Sequence, residues 1–232
     1  MHHAHLQRDW AREKIQRLEV LCRDICAVEQ RAMIVEVKPT TTLPVRAKEL
    51  YSCVSGGTPI PPELLLLAGE SAVALRCALD YLVRNLSELD GGTVPKTRTQ
   101  FPIESSPDGF SGKRDTFLAG VNPSHVAYIE SLQPYCGCDW TKRLARFTNI
   151  HKHNELLDVR HDLLYWGTLY PIPGTSAYTV NMHFEPAIYI FVDDGFPLVE
   201  TLKEIESQVS QTLDAFEPEF LGQLKLAHYP KS

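Results

Sequence analysis

The sequence has no long hydrophobic run. Even the leucine-rich stretch 64–68 gives way at once to Gly69, Glu70 and Ser71, whereas a helix that crosses a bilayer needs about 20 consecutive apolar residues. The N-terminal residues are polar and charged, and they lack the apolar core of a secretory signal. We therefore expect a cytoplasmic protein with no membrane partner.

The chain also lacks an excess of positive charge. It carries 23 Lys and Arg against 29 Asp and Glu, a formal net charge of -6. This balance argues against a surface that follows nucleic-acid phosphates throughout, although a local basic patch stays open. With 44% hydrophobic and 22% charged residues, the 232-residue chain has an ordinary globular composition, which predicts one domain over 1–232.

The common motifs of nucleotide, metal and hydrolase chemistry are missing. The sequence contains no phosphate-binding loop, dinucleotide fingerprint, HExxH or GxSxG, so we expect no cofactor. Its cysteine pairs, Cys22 with Cys26 and Cys136 with Cys138, do not have the C-x2-C spacing of common zinc modules. In a reducing compartment they are expected to be thiols, and no metal site is predicted.

Helical periodicity is the strongest positive signal. Apolar residues recur at steps of three and four, which predicts helices over 9–27, 61–89, 139–157 and 197–217 and two short helices within 112–132, at 112–119 and 123–132. The helix 61–89 is the expected core element, because one stripe of it is apolar throughout: Ala68, Ala72, Leu75, Leu79, Leu82 and Leu86.

Two other regions show patterns typical of strands. Alternation in 33–37 and a β-prone stretch in 45–54 predict a hairpin over 32–54. Aromatic and β-branched residues, interrupted by Pro186, predict three antiparallel strands over 162–192. The expected fold class is therefore α+β: a mainly helical core, an N-terminal β-hairpin and a small antiparallel sheet before the C-terminal helix.

Four landmarks follow one another in the middle of the chain: GESAVALRCALDYL at 69–82, QFPI at 100–103, SLQPY at 131–135 and HKHNELL at 151–157. In this order they resemble a bacterial family of uncharacterised proteins whose pattern reads GDALHNLRSALDHL, FPI, LQPY and DKHR. The chain keeps Gly69, Leu75, Arg76, Ala78, Leu79, Asp80, Lys152 and His153. It departs from the pattern at Val73, Ala74, Tyr81 and His151. Since that family carries no established function, the resemblance implies a shared fold and no particular chemistry.

Arg76 and Asp80 lie one helical turn apart beside the apolar stripe, so their side chains can form an ion pair. Such a pair is either structural or, beside a second polar helix, part of a binding site. The second helix is 139–157. On it, Asn149 and His153 share one face, while His151 continues an apolar face.

The leading functional hypothesis is a small or anionic ligand bound between these two core helices. Its predicted ligand-binding residues are Arg76, Asp80, Asn149, Lys152 and His153. Another hypothesis is a non-catalytic structural or interaction module. The protein could also form a homo-oligomer.

Spacing also suggests an enzyme. Arg146 and His151 fit R-x4-H, and Arg146 and His153 fit R-x6-H, similar to the motif of HEPN ribonucleases and toxins. That resemblance implies metal-independent RNA cleavage, in which the histidine takes part in the reaction and the arginine supports the phosphate. The candidate catalytic residues are therefore Arg146, His151 and His153, and RNA is the alternative ligand.

Overall fold

A computed structural model describes the backbone of residues 1–32, 53–55, 60–91, 99–152, 159–171, 178–190 and 196–227, and the side chains of 1–25, 60–91, 99–151 and 196–221. The chain divides into two compact units. A helical unit comprises Met1–Arg17, Leu65–Leu157 and Glu200–Ser232, and a second unit comprises Leu18–Leu64 and Asp158–Val199. That these two units belong to one domain over 1–232 stays a prediction.

Six α-helices account for most of the described backbone. They are α1 (His2–Ala32), α2 (Pro62–Leu89), α3 (Pro107–Phe117), α4 (Pro123–Ser131), α5 (Asp139–Lys152) and α6 (Leu198–Ala227). A short 3-10 turn, Pro134–Cys136, precedes α5.

Local chemistry explains where several helices begin and end. Pro62 opens α2, where a missing amide donor costs nothing, and Gly91 follows its end with φ +75°, a conformation that favours glycine. Ser106 caps α3 by accepting the Gly109 amide at 3.2 Å. Asn122 caps α4 by accepting the Ser124 amide at 3.0 Å. Each cap satisfies an amide that the helix itself leaves without a partner.

The core of the helical unit is built on α2. All six residues of its predicted stripe are fully buried, as the sequence predicts: Ala68, Ala72, Leu75, Leu79, Leu82 and Leu86. Ion pairs tie neighbouring helices together at the surface, Arg12 of α1 with Glu206 of α6 and Arg143 of α5 with Glu204 of α6. Such exposed pairs contribute little, about 1 kcal/mol or less each, so buried apolar area stabilises the unit.

Two helices are longer than the sequence predicts. Helix α1 extends beyond the predicted 9–27 at both ends, and α6 passes through Pro218 to Ala227 instead of ending at 217. A proline inside a helix removes one backbone hydrogen bond and ordinarily ends the helix. The predicted helix 139–157 corresponds to α5 as far as Lys152, and 153–157 lie outside the described residues.

The second unit contains the strands β1 (Cys53–Ser55), β2 (Val159–Pro171), β3 (Tyr178–Ile190) and β4 (Phe196–Pro197). Each pairs with the next in antiparallel orientation, and Leu163 lies opposite Pro186 in the pairing of β2 with β3. Pro186 therefore lies inside one long strand, and the three strands predicted over 162–192 are two longer ones.

The predicted α+β class is wrong: the protein is mainly helical. Among the residues whose side chains are described, 82% are helical, and the two-residue β4 is the lone strand. Most of the hairpin predicted over 32–54 lies outside the described residues, Ala32 still belongs to α1, and Cys53–Ser55 pairs with β2. The physical reason is that three helices of about thirty residues, α1, α2 and α6, bury long apolar stripes and form the core.

No helix in the described ranges combines the length and the apolar character needed to cross a membrane.

Candidate functional site

The segment 99–106 before α3 belongs to no helix or strand, and side chains of other elements hold its backbone. Phe101 in this segment is fully buried. The amide of Phe101 donates to Oδ1 of Asp80 at 2.8 Å, and its carbonyl oxygen accepts a hydrogen bond from Nη2 of Arg76. Nε of Arg76 lies 3.5 Å from the same Oδ1. The ion pair predicted from the i,i+4 spacing is thus present, and both partners bind the backbone of Phe101.

Gln133 continues this arrangement from the opposite side. Its side chain is fully buried, and Oε1 accepts the amide of Glu104 at 2.9 Å. Its Nε2 donates to the carbonyl oxygens of Pro102 and Ile129, at 2.9 and 3.0 Å. We call Arg76, Asp80 and Gln133 the backbone clamp, because together they bind amides and carbonyls of 101–104, which lack secondary-structure partners.

Burial shapes the electrostatics of the clamp. The Arg76 side chain is only 17% exposed, and burial lowers the pKa of its guanidinium, an effect that the Asp80 charge opposes. A buried charge that lost its partner would be costly. A ligand that took Arg76 or Asp80 would therefore displace the backbone of Phe101.

The clamp joins three of the four landmarks that resemble the bacterial family, because it connects the α2 motif with FPI and LQPY. The fourth landmark meets the first elsewhere, where His151 packs on Gly69.

No family model, curated protein or solved structure matches this chain. The resemblance therefore stays a prediction, and what the geometry adds is a physical role for its residues.

The contact between α2 and α5 is made by a glycine and a histidine. A Cβ atom built on Gly69 would lie 2.7 Å from Cγ of His151 and would overlap its imidazole ring. Gly69 is thus required for the close approach of the two helices. Arg76 lies about 10 Å further along α2, so His151 is placed against Gly69 and away from the clamp.

The remaining candidates on α5 are scattered. Arg146 is half-buried and Asn149 is exposed. Arg146 and His151 point about 140° apart around the helix axis, which separates the pair of the R-x4-H spacing. Lys152 ends α5 without a described side chain, and His153 lies outside the described residues, so its predicted approach to Arg76 and Asp80 stays a prediction.

A buried histidine that the sequence did not single out has two carboxylate partners. His125 is 6% exposed, and its ring nitrogens lie 2.8 Å from Asp90 and 2.7 Å from Glu219. These partners are 35 and 94 residues away in sequence, so no local spacing reveals the cluster. The only signals are a histidine in the first turn of α4 and an acid after Pro218.

The described side chains show no group of three or more metal-type ligands placed to hold an ion. While the imidazole of His125 is protonated, both ring nitrogens donate to carboxylates, which leaves no nitrogen lone pair for a metal. The cysteines described, Cys22, Cys77, Cys136 and Cys138, are thiols rather than disulfide partners.

A surface groove runs between α3 and α4. It is largely open to solvent, has a volume of about 580 Å³ and is lined by Arg114, Asp115, Leu118, Ala119, Val121, Pro123, Val126, Ala127 and Glu130. Leu118 and Val121 are buried and form part of an apolar floor. The charged side chains of Arg114, Asp115 and Glu130 form its rim. Concave sites with an apolar lining and a few polar groups are typical of small-molecule binding.

Proposed function

We propose that this protein is a non-catalytic binding protein that takes a small molecule with an apolar body and an anionic group in the groove between α3 and α4. The observation that supports this proposal is the groove itself, whose volume of about 580 Å³ falls in the usual range for small ligands. An apolar body over Leu118, Val121 and Val126 would leave water, which is the main favourable term in such binding.

The charges of the rim suggest how the ligand is oriented. The side chain of Arg114 is 46% exposed, and its Nε donates to Oδ1 of Asp115 at 2.9 Å. The other N–H groups of a guanidinium are further donors that a ligand can use. Its planar fork suits a carboxylate, sulfonate or phosphate. Glu130 is fixed by the Tyr135 hydroxyl, which donates to it at 2.8 Å. An anionic group would therefore turn toward Arg114 and away from Glu130.

The clamp supports the non-catalytic part of the proposal. Arg76 and Asp80 hold the backbone of Phe101, which gives both side chains a structural role, and their part in ligand binding stays a prediction. The proposal places the protein in the cytoplasm, where thiols such as Cys136 and Cys138 stay reduced. A homo-oligomer remains compatible with it.

Binding in the groove can be tested with anilinonaphthalene sulfonate, a fluorescent probe with an apolar body and one anionic group. Ala127→Trp fills the groove and should weaken probe binding by about tenfold or more. Arg114→Gln keeps the apolar floor and removes the cation, so it should weaken binding by about fivefold. A fluorescence titration measures both.

Gln16→Trp provides the matched control, because it adds the same ring at an exposed position of α1. It should bind the probe as the wild type does. If the wild type shows no saturable binding, or if Ala127→Trp binds as tightly as Gln16→Trp, the groove is not the site.

The non-catalytic proposal also predicts the outcome of a ribonuclease assay. Single-stranded RNA incubated with the protein and a chelator should show no cleavage that depends on Arg146, His151 or His153. Gel analysis of the wild type and the three alanine variants checks this. Cleavage that falls about 100-fold in a folded His153→Ala or His151→Ala variant would support the HEPN-like alternative instead.

A further inference from the structure

The imidazole of His125 joins three helices of the helical unit. Its Nδ1 lies 2.8 Å from Oδ2 of Asp90, which follows α2, and its Nε2 lies 2.7 Å from Oε2 of Glu219 on α6. The side chains of His125 and Asp90 are 7% and 11% exposed, but that of Glu219 is 48% exposed. Glu219 is therefore the partner that can turn into solvent.

The end of α6 lies beyond a proline. Pro218 interrupts the hydrogen bonding of the helix. Before it, Phe216 is buried and packs edge-on against the rings of His125 and Tyr128. After it, Glu219 and Leu221 are exposed and Phe220 is half-buried. The contact of Glu219 with His125 attaches the end of α6 to α4.

We propose that residues 219–227 form an arm that His125 holds while its imidazole is protonated and releases when the imidazole becomes neutral. A charged imidazole donates from both ring nitrogens, whereas a neutral one donates from only one. Oδ2 of Asp90 also accepts the Asn122 amide at 2.7 Å and stays buried beside the ring.

The remaining proton of a neutral His125 therefore stays on Nδ1, facing Asp90. The lone pair of Nε2 then faces the carboxylate of Glu219 at 2.7 Å. Two electron-rich atoms at this distance repel each other, and the half-exposed Glu219 turns away into water. The arm loses this attachment to α4 while the bond between His125 and Asp90 remains.

The direction of the pH effect follows from the same contacts. Burial alone would lower the pKa of His125, but the hydrogen bonds to Asp90 and Glu219 outweigh it and raise the pKa above its ordinary value. A histidine whose pKa is higher in the folded state stabilises fully below its unfolded value of about 6.5. The attachment is lost as the pH rises through the raised pKa.

Two further groups lie near the start of the arm. Nε2 of His5 is 3.7 Å from Oε1 of Glu217, and the amino group of Met1 lies within electrostatic reach of the same carboxylate. Both groups face Glu217, the residue before Pro218. Variants of His125 and Glu219 leave these two groups unchanged, so they distinguish the effect of His125 from theirs.

Hydrogen–deuterium exchange of peptides covering 217–227 tests the arm in the full chain. After correction for the intrinsic rate, wild-type protection should fall about fivefold between about pH 5.5 and about pH 8.5. His125→Gln cannot be charged, so its protection should change by less than about twofold over the same range. Glu219→Gln should also flatten the profile, because an amide can accept from the charged ring and donate to the neutral one.

Asp214→Asn is the matched control, since it removes one exposed carboxylate from the same helix, and it should keep the wild-type profile. Wild-type protection that does not change with pH, or a fall that persists in His125→Gln, would overturn the proposal. If His125→Gln does not fold, the half-exposed Glu219→Gln decides: an unchanged pH profile in that variant also overturns it.

Discussion

Replacing Gly69 by alanine is expected to destabilise the protein by about 2 kcal/mol, although the same change inside a helix ordinarily stabilises by up to about 1 kcal/mol. The reason is the close approach of α5. A Cβ atom at Gly69 would lie 2.7 Å from Cγ of His151, and that atom is not the free end of a flexible chain. Urea denaturation of the wild type and the variant measures the change in unfolding free energy.

Two controls show whether the effect comes from His151: the same change in a His151→Ala protein, and the change of a second helical glycine, Gly112. In a His151→Ala protein the obstacle is gone, so Gly69→Ala should stabilise by about 0.5–1 kcal/mol. At Gly112 of α3 a Cβ meets no atom within 4 Å, and Gly112→Ala should also stabilise by about 0.5–1 kcal/mol. If Gly69→Ala stabilises the wild type as Gly112→Ala does, His151 does not pack on Gly69.

Removing a member of the backbone clamp is expected to have the largest effect on stability. Gln133→Ala leaves the half-buried amide of Glu104 and the buried carbonyl of Pro102 without their partner, and each unsatisfied group costs about 1–3 kcal/mol. We expect a loss of about 3–4 kcal/mol for Gln133→Ala and about 2–3 kcal/mol for Asp80→Ala. Thermal and urea denaturation of both variants measure these losses.

Helix α2 carries a matched control for Asp80→Ala. Arg84 and Glu88 form a second i,i+4 pair, 3.2 Å apart, on the exposed side of the same helix. Glu88→Ala should cost less than about 0.5 kcal/mol, because an exposed pair holds no backbone and is screened by water. Equal losses for Asp80→Ala and Glu88→Ala would mean that Asp80 is an ordinary surface partner.

The sequence predicts long periodic elements well and distant partners poorly. The stripe of α2 is buried as its periodicity predicts, because a face that repeats over several turns has few alternatives to the core. The i,i+4 spacing likewise predicts the pair of Arg76 with Asp80. It does not reveal Phe101, more than twenty residues away, whose backbone decides what the pair does.

Two prolines lie inside regular elements that they were predicted to end. Pro218 ordinarily ends a helix, yet α6 continues past it. The contact of Glu219 with His125, a partner 94 residues away, supports the helix beyond that point. Pro186 was expected to separate two strands, yet it lies inside β3 opposite Leu163. In both cases contacts made elsewhere in the fold outweigh the local cost of a missing amide.

For the candidate site, the sequence likewise indicates some of the residues and does not reveal their tertiary contacts. Residue types and spacing indicated Arg76 and Asp80 as chemically important, but tertiary contacts place them on the chain's own backbone. The groove between α3 and α4 had no signal in the sequence, because its apolar floor and charged rim are ordinary residues of two short helices. A concave surface is a property of packing and not of local pattern.

Amide exchange at Phe101 is the most direct test of the clamp. Residues 99–104 belong to no helix or strand, so an unclamped Phe101 amide would exchange rapidly. In the wild type, NMR-detected exchange should show the Phe101 amide protected to within about tenfold of the core amides of α2. In Asp80→Ala that protection should fall by about 100-fold while the amides of α2 keep theirs to within about tenfold. Rapid exchange of the Phe101 amide in the wild type would contradict the clamp.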